Sequence, residues 1–234
     1  MKSSSTLLLS IAGLLFLFSC NPQTSQTDHI VPENMAFLIL PETDSIFLSS
    51  ILGDRLIQNK ASLRDATAGI YLSEDSKLLF SMERTEGEIN VMDMSRFGKW
   101  LPKPIERPQP THWTGVENHS LVFNDGDGSV IYVKSIPSTT EGFTLGVVEL
   151  PGSVAHHGAA LYLNGDAIAM TARSENEEGS LPKRIALVDI PTQKVLMTTD
   201  DQTVGGIHGA QSNGEYALFG STDGVLWVKE DQSY

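Results

Sequence analysis

One cysteine in 234 residues leaves no possibility of an internal disulfide or of a multi-thiolate metal site. Basic residues are also scarce: 16 Lys and Arg stand against 29 Asp and Glu, for a formal net charge of -13. Such a surface repels phosphate backbones and anionic headgroups, which removes the main driving force for nucleic-acid binding. Aromatic residues make up only 7%, and no sustained helical period runs through the chain after its leader. Ile46 to Leu56 is the best helical candidate, and Gly53 interrupts it.

The single apolar run long enough to notice comes first. Lys2 is followed by the nearly unbroken apolar stretch Leu7 to Phe18, then Ser19 and the lone Cys20. This is the layout of an export signal, too short and too early for a good membrane-spanning helix. A small residue before a cysteine at that point resembles the lipobox of bacterial lipoproteins. The resemblance implies a signal peptide over 1–19, a lipidated Cys20 as the mature amino terminus, and attachment to a membrane through the lipid. Residues 20–30, polar and without apolar period, read as a tether. Residues 31–234 suffice for one sizeable core. The chain is thus expected in the cell envelope, lipid-anchored to the outer membrane and facing the periplasm.

Within 31–234 short apolar runs alternate with Gly, Asn and Asp turns, which predicts an all-β fold. Three stretches run alike: Thr111 to Ile136, His156 to Ala172, and Ile207 to Asp231. Each opens with a histidine near a glycine, then an apolar run, a turn and a second apolar run. The spacing of roughly 45 to 50 residues is that of a four-stranded propeller blade, as in WD40-like repeats. A first blade is read in Ala68–Ser73, Lys77–Met82 and Ile89–Met94, a second from Trp113 to Leu150, a third from Ala159 to Thr198, and a partial fourth from His208. Three complete blades and a partial fourth do not obviously close a ring. The sequence is therefore expected to be part of a longer β-propeller truncated at its C-terminal side, with Met35 to Leu40 belonging to the closing blade. The alternative is a compact four-bladed ring in which that strand completes the last sheet.

Repeat-locked histidines carry the chemistry. Equivalent positions of successive blades surround one axis, so His112, His156, His157 and His208, at the starts of inner strands, form a candidate metal site, for zinc above all. His119, on the following hairpin, is expected to face elsewhere, and His29 with Asp28 lies in the tether. Glu117 and Asp223 are weaker carboxylate candidates. Asn124 to Gly128 fails the spacing of a calcium loop and reads as a hairpin turn. Ser212 sits between two predicted strands, unlike a nucleophile elbow. Glu175, Glu177 and Glu178 are expected on a solvated loop, and Trp113, Trp227 and Tyr162 in packing between blades. No acid/base pair or cofactor loop is found, so no catalysis is expected.

The segments Val154-Ala155-His156-His157-Gly158 and Gly206-Ile207-His208-Gly209-Ala210, the latter followed by Ala217 to Leu226, resemble the secreted propellers of the AztD-type zinc metallochaperones. That resemblance implies zinc as the bound ion and the solute-binding protein of a zinc ABC importer as the partner that receives it. Family members carry a longer His- and Asp-rich amino-terminal segment and a longer chain; here only Asp28-His29 stands in that place. The competing reading is a non-catalytic propeller that binds a protein or glycan at the envelope.

Overall fold

In the computed structural model, the described residues are 35–40, 45–52, 55–62, 68–94, 99–135, 143–199 and 204–233. The leader, Cys20 and the tether with Asp28 and His29 lie outside them. By contacts the chain divides into Met1–Ile30 and Val31–Tyr234, and every described residue belongs to the second unit.

All named elements are strands, in five antiparallel sheets. The first holds β1 (Met35–Leu40), β2 (Ser45–Leu52) and β3 (Arg55–Ser62). The second holds β4 (Gly69–Leu72), β5 (Leu78–Glu83) and β6 (Glu88–Asp93), with the short β7 (Lys99–Trp100) and β8 (Ile105–Glu106) both paired to β6. The third runs through β9 (Pro110–Val116), β10 (His119–Asn124), β11 (Ser129–Ser135) and β12 (Phe143–Val148). The fourth has β13 (Ala160–Leu163), β14 (Ala167–Ala172), β15 (Arg184–Asp189) and β16 (Lys194–Thr198). The fifth has β17 (Ile207–Ser212), β18 (Tyr216–Ser221) and β19 (Gly224–Lys229). The chain is an all-β protein of propeller type: each sheet is a meander, and the leading strands β9, β13 and β17 touch in succession.

Two sequence expectations are corrected here. Met35–Leu40 does not complete the last sheet; it pairs with β2, from Met35 against Ser50 to Leu40 against Ser45. The helical candidate Ile46–Leu56 instead contributes to β2 and β3, joined in register at Leu52 and Arg55, because apolar residues on a pleated ladder outweigh a short, Gly-broken helical pattern. The outer strand of the first blade comes in two pieces, β7 and β8, since Pro102 and Pro104 between them cannot donate to a continuous ladder.

The core is a series of inter-sheet layers. Side chains alternate across each strand, so Val122, Ile131 and Val133 pack with Leu78, Phe80 and Val91 of the preceding blade. Their neighbours Leu121, Phe123 and Tyr132 face Tyr162, Ile168 and Met170 of the next. Leu161, Ala169 and Leu187 in turn meet Ala217, Phe219 and Val228. Sandwiching on both faces explains why central strands such as β10 are buried at every position and read as unbroken apolar runs. Phe80, Phe123 and Phe219 are fully buried on the second strands of their sheets. On the far face of the last sheet, Leu218, Val225 and Trp227 are exposed, so Trp227 is not packed between blades as expected, whereas Trp113 is, stacked on Tyr71 at 5.6 Å.

The loop 173–184 is also more ordered than a solvated acidic stretch. Glu175 and Glu178 are exposed, but Glu177 accepts hydrogen bonds from the Lys183 backbone and the Arg184 guanidinium. Arg173 donates to the Glu177 carbonyl.

Candidate metal centre

Residues from three blades line a cavity of about 180 Å³, among them His112, His157, His208, Thr171 and Trp113. His112 sits on β9 opposite Phe123, one step from a register shift between Phe123 and Asn124. His157 lies just before β13, half-exposed. His208 is the second residue of β17, where the register shifts between Ile207 and Ala210. Gly209 has a φ of 96°, a left-handed conformation that glycine adopts without strain, so the bulge that re-aims the exposed His208 depends on it.

The two His-Gly pairs thus have different causes. Gly158 is required by packing: a Cβ there would come within 2.6 Å of the Phe123 ring and 2.8 Å of His156 Nε2, and would overlap the Thr171 hydroxyl. We expect Gly158→Ala to lower stability by about 1–3 kcal/mol through overpacking, read as a lower urea midpoint at unchanged m.

The Nε2 atoms of His112 and His157 are 3.0 Å apart, and the rings have centroids at 4.6 Å. His157 Nδ1 is 2.9 Å from Asp125 Oδ2. With neutral rings His157 donates Nδ1–H to that carboxylate, which leaves the Nε2 lone pair aimed at His112. The His208 ring lies 5.4 Å from that of His157. Among the described residues no three His, Cys, Asp or Glu side chains are already closed around one point; the third ring must turn inward to complete a set. The pair passes a test of fit, since zinc–nitrogen bonds of about 2.0–2.1 Å at a tetrahedral angle place neighbouring ligand nitrogens about 3.3 Å apart. Burial, reinforced by the neighbouring His157, holds His112 below the ordinary imidazole range and so keeps its ring neutral, the state a metal requires.

His156 is separated from these three. Its ring is buried, with Nδ1 2.6 Å from the Val154 carbonyl and Nε2 3.1 Å from the Thr171 hydroxyl. Both nitrogens are engaged, and the residue does not line the cavity. Glu117 is exposed at the opposite end of β9, and Asp223 accepts from the Gly205 backbone in an exposed turn. Ser212 donates to the Tyr162 carbonyl and accepts from the Gly214 backbone, a structural role. His119 is buried, stacked on Tyr162 at 3.8 Å and bonded to the Tyr132 hydroxyl at 2.9 Å.

Burial, with Lys134 next, pushes His119 below its ordinary value despite Asp166 and Glu117. Burial likewise lowers His156. A depressed folded-state pKa means that the unfolded chain takes up the proton first. Stability should therefore be level above about pH 6.5 and fall as pH drops below it. Denaturant midpoints across pH 4.5–8 would check this, with His119→Gln giving a shallower fall.

Two residues of the site were missed by sequence reasoning. Asp125 belongs to the Asn124–Gly128 turn, where an aspartate is normally solvated, yet it is only 6% exposed. Arg84, just after β5, reaches it at 3.1 Å. No local pattern singles out either one, because the contact joins two blades and reaches a third only through His157.

The fold and this site define a β-propeller-type protein with a histidine-lined cavity between the leading strands of three sheets. No protein-family model matches the chain, and no curated protein matches it by sequence. Among solved structures, apo AztD from Citrobacter koseri aligns with a TM-score of 0.67 at 16% identity, over 85% of this chain and 54% of AztD. The β-propeller domain of Cps50 (Swd1) from Myceliophteria thermophila aligns at 0.51 and 10% identity, over 79% and 64%. Virginiamycin B lyase from Staphylococcus aureus aligns at 0.50 and 13%, over 86% and 72%. At such identities the likeness is one of fold. The chain spans about half the length of the AztD chain it matches, 54%, and one neighbour named as a lyase shows that the fold by itself does not separate catalytic from non-catalytic propellers.

Proposed function

We propose that this protein binds zinc in the cavity beside its leading strands through His112, His157 and His208 and hands the ion on without catalysis. The single observation that carries the reading is the pair of facing Nε2 atoms 3.0 Å apart, with His157 oriented from behind by a buried carboxylate. A carboxylate–histidine arrangement of this kind fixes the tautomer and raises the basicity of the ligating nitrogen. The fold shared with AztD supports the same reading. The exposed His208 is the ligand that enters or leaves most easily, which suits stepwise exchange with the solute-binding protein of a zinc ABC importer. Export and a lipid anchor at Cys20 would hold the domain at the outer membrane on the periplasmic side.

Metal analysis of the purified domain, beside the His112→Ala/His157→Ala/His208→Ala variant, tests the proposal. Zinc retained after loading and desalting by the parent and lost from the variant is the expected result; no zinc in either removes the reading. The alternative, an envelope protein- or glycan-interaction propeller, is favoured by the exposed Leu218, Val225 and Trp227 face. It requires partner capture that chelation leaves unchanged.

A further inference from the structure

Behind the histidine pair, one carboxylate oxygen is shared between two cationic or hydrogen-donating partners. Asp125 Oδ2 lies 2.9 Å from His157 Nδ1 and 3.1 Å from Arg84 Nη1. Its other oxygen, Oδ1, is buried without a hydrogen-bond partner, so all the bonding of this carboxylate passes through one atom. The turn that carries it is held from both sides: the Asp125 backbone donates to the Gln109 carbonyl, and the His156 backbone donates to the Asp125 carbonyl, each at 3.0 Å. Arg84 is anchored independently, by the Gln109 carbonyl at 3.2 Å and by the Thr111 hydroxyl. Arg84 from the first full blade, Asp125 from the second and His157 from the start of the third thus form a relay that ends on His112.

We propose that Arg84 is a positioning residue that acts as a charge brake on the metal centre. Its guanidinium draws on the same Asp125 oxygen that polarises His157, and so loosens the hold of the histidine set on a divalent cation. The inference rests on the zinc reading and specifies its regulation. An unopposed carboxylate behind a ligating imidazole makes it a stronger donor. A guanidinium bonded to that carboxylate offsets its charge, and its own positive charge opposes a cation nearby. A protein that must release its ion gains from such a moderated grip, because release is limited by the tightest bond it has to break.

The test compares the parent with Arg84→Gln, Arg84→Lys and Asp125→Asn. Two quantities are measured: zinc affinity by competition with a chromophoric chelator, and the His157 Nδ1–H proton and ring 15N resonances in the metal-free protein. Arg84→Gln is expected to tighten zinc on the order of tenfold, the scale of outer-shell effects, and to move the His157 Nδ1–H proton downfield as its bond to Asp125 strengthens. Arg84→Lys should return both quantities toward the parent. Asp125→Asn should weaken zinc by about 10–100-fold and move the same proton upfield. If Arg84→Gln weakens zinc or leaves it unchanged, or its Nδ1–H proton fails to move downfield, the brake is overturned and Arg84 merely holds the turn in place. If the parent binds no zinc, the functional reading fails and takes the brake with it, whereas zinc binding by the parent without a tighter Arg84→Gln variant overturns the brake alone.

Discussion

His157→Ala should lower zinc affinity by more than the roughly 10–100-fold that loss of an outer-shell partner costs, a larger effect than any other single histidine change in the chain. His157 is the hub of the centre: its Nε2 faces His112 at 3.0 Å, its ring lies 5.4 Å from that of His208, and its Nδ1 is hydrogen-bonded to the buried Asp125. Removing it deletes one ligand and disconnects the carboxylate. His156→Ala, by contrast, should leave affinity within a few-fold, because both nitrogens of that ring are spent on Val154 and Thr171; its cost should fall on stability. Chelator competition on the two variants, together with their denaturant midpoints, separates adjacent histidines that look equivalent in the sequence. Comparable loss of zinc from both would contradict the geometry.

Phe123→Ala should cost about 3–5 kcal/mol of stability, a large share of the 5–15 kcal/mol that holds a typical domain together. The side chain is fully buried in the layer between the second and third full blades, beside Leu121, Tyr132, Ile168 and Met170. It also supports the centre from beneath: it is the register partner of His112 and meets the His156 ring edge-on at 5.1 Å. The cavity left by truncation would lie directly under Gly158 and the His156-His157 pair. Equilibrium urea unfolding should show the lost midpoint. Phe123→Leu, which retains most of the volume, should recover the greater part. A Phe123→Ala variant within 1 kcal/mol of the parent would mean that the layer is not packed as described.

The blade rhythm was legible because a sheet covered on both faces needs unbroken apolar strands, and its meander needs a turn residue after each. Runs such as Leu121–Phe123 and Ala167–Thr171, punctuated by Asp125-Gly126 and Asn164-Gly165, state this directly. Where a strand was interrupted the pattern misled. Pro102 and Pro104 hid an outer strand split in two, and the pair β2–β3 was masked by a short stretch whose apolar spacing suits a helix as well as a strand.

The repeat of histidines brought His112, His157 and His208 to attention, since period alone places equivalent residues around one axis. Period cannot tell His156 from His157, which differ by one position; the packing of Phe123, Thr171 and Gly158 around the first leaves the second to line the cavity. The burial of Asp125 and its capture of Arg84 likewise arise from the approach of three blades. Sequence determined which residue types recur and how far apart, a matter of local periodicity. Tertiary structure decided which ring nitrogens are free and what stands behind them, because hydrogen bonds between residues 25 to 45 positions apart exist only after the sheets have packed.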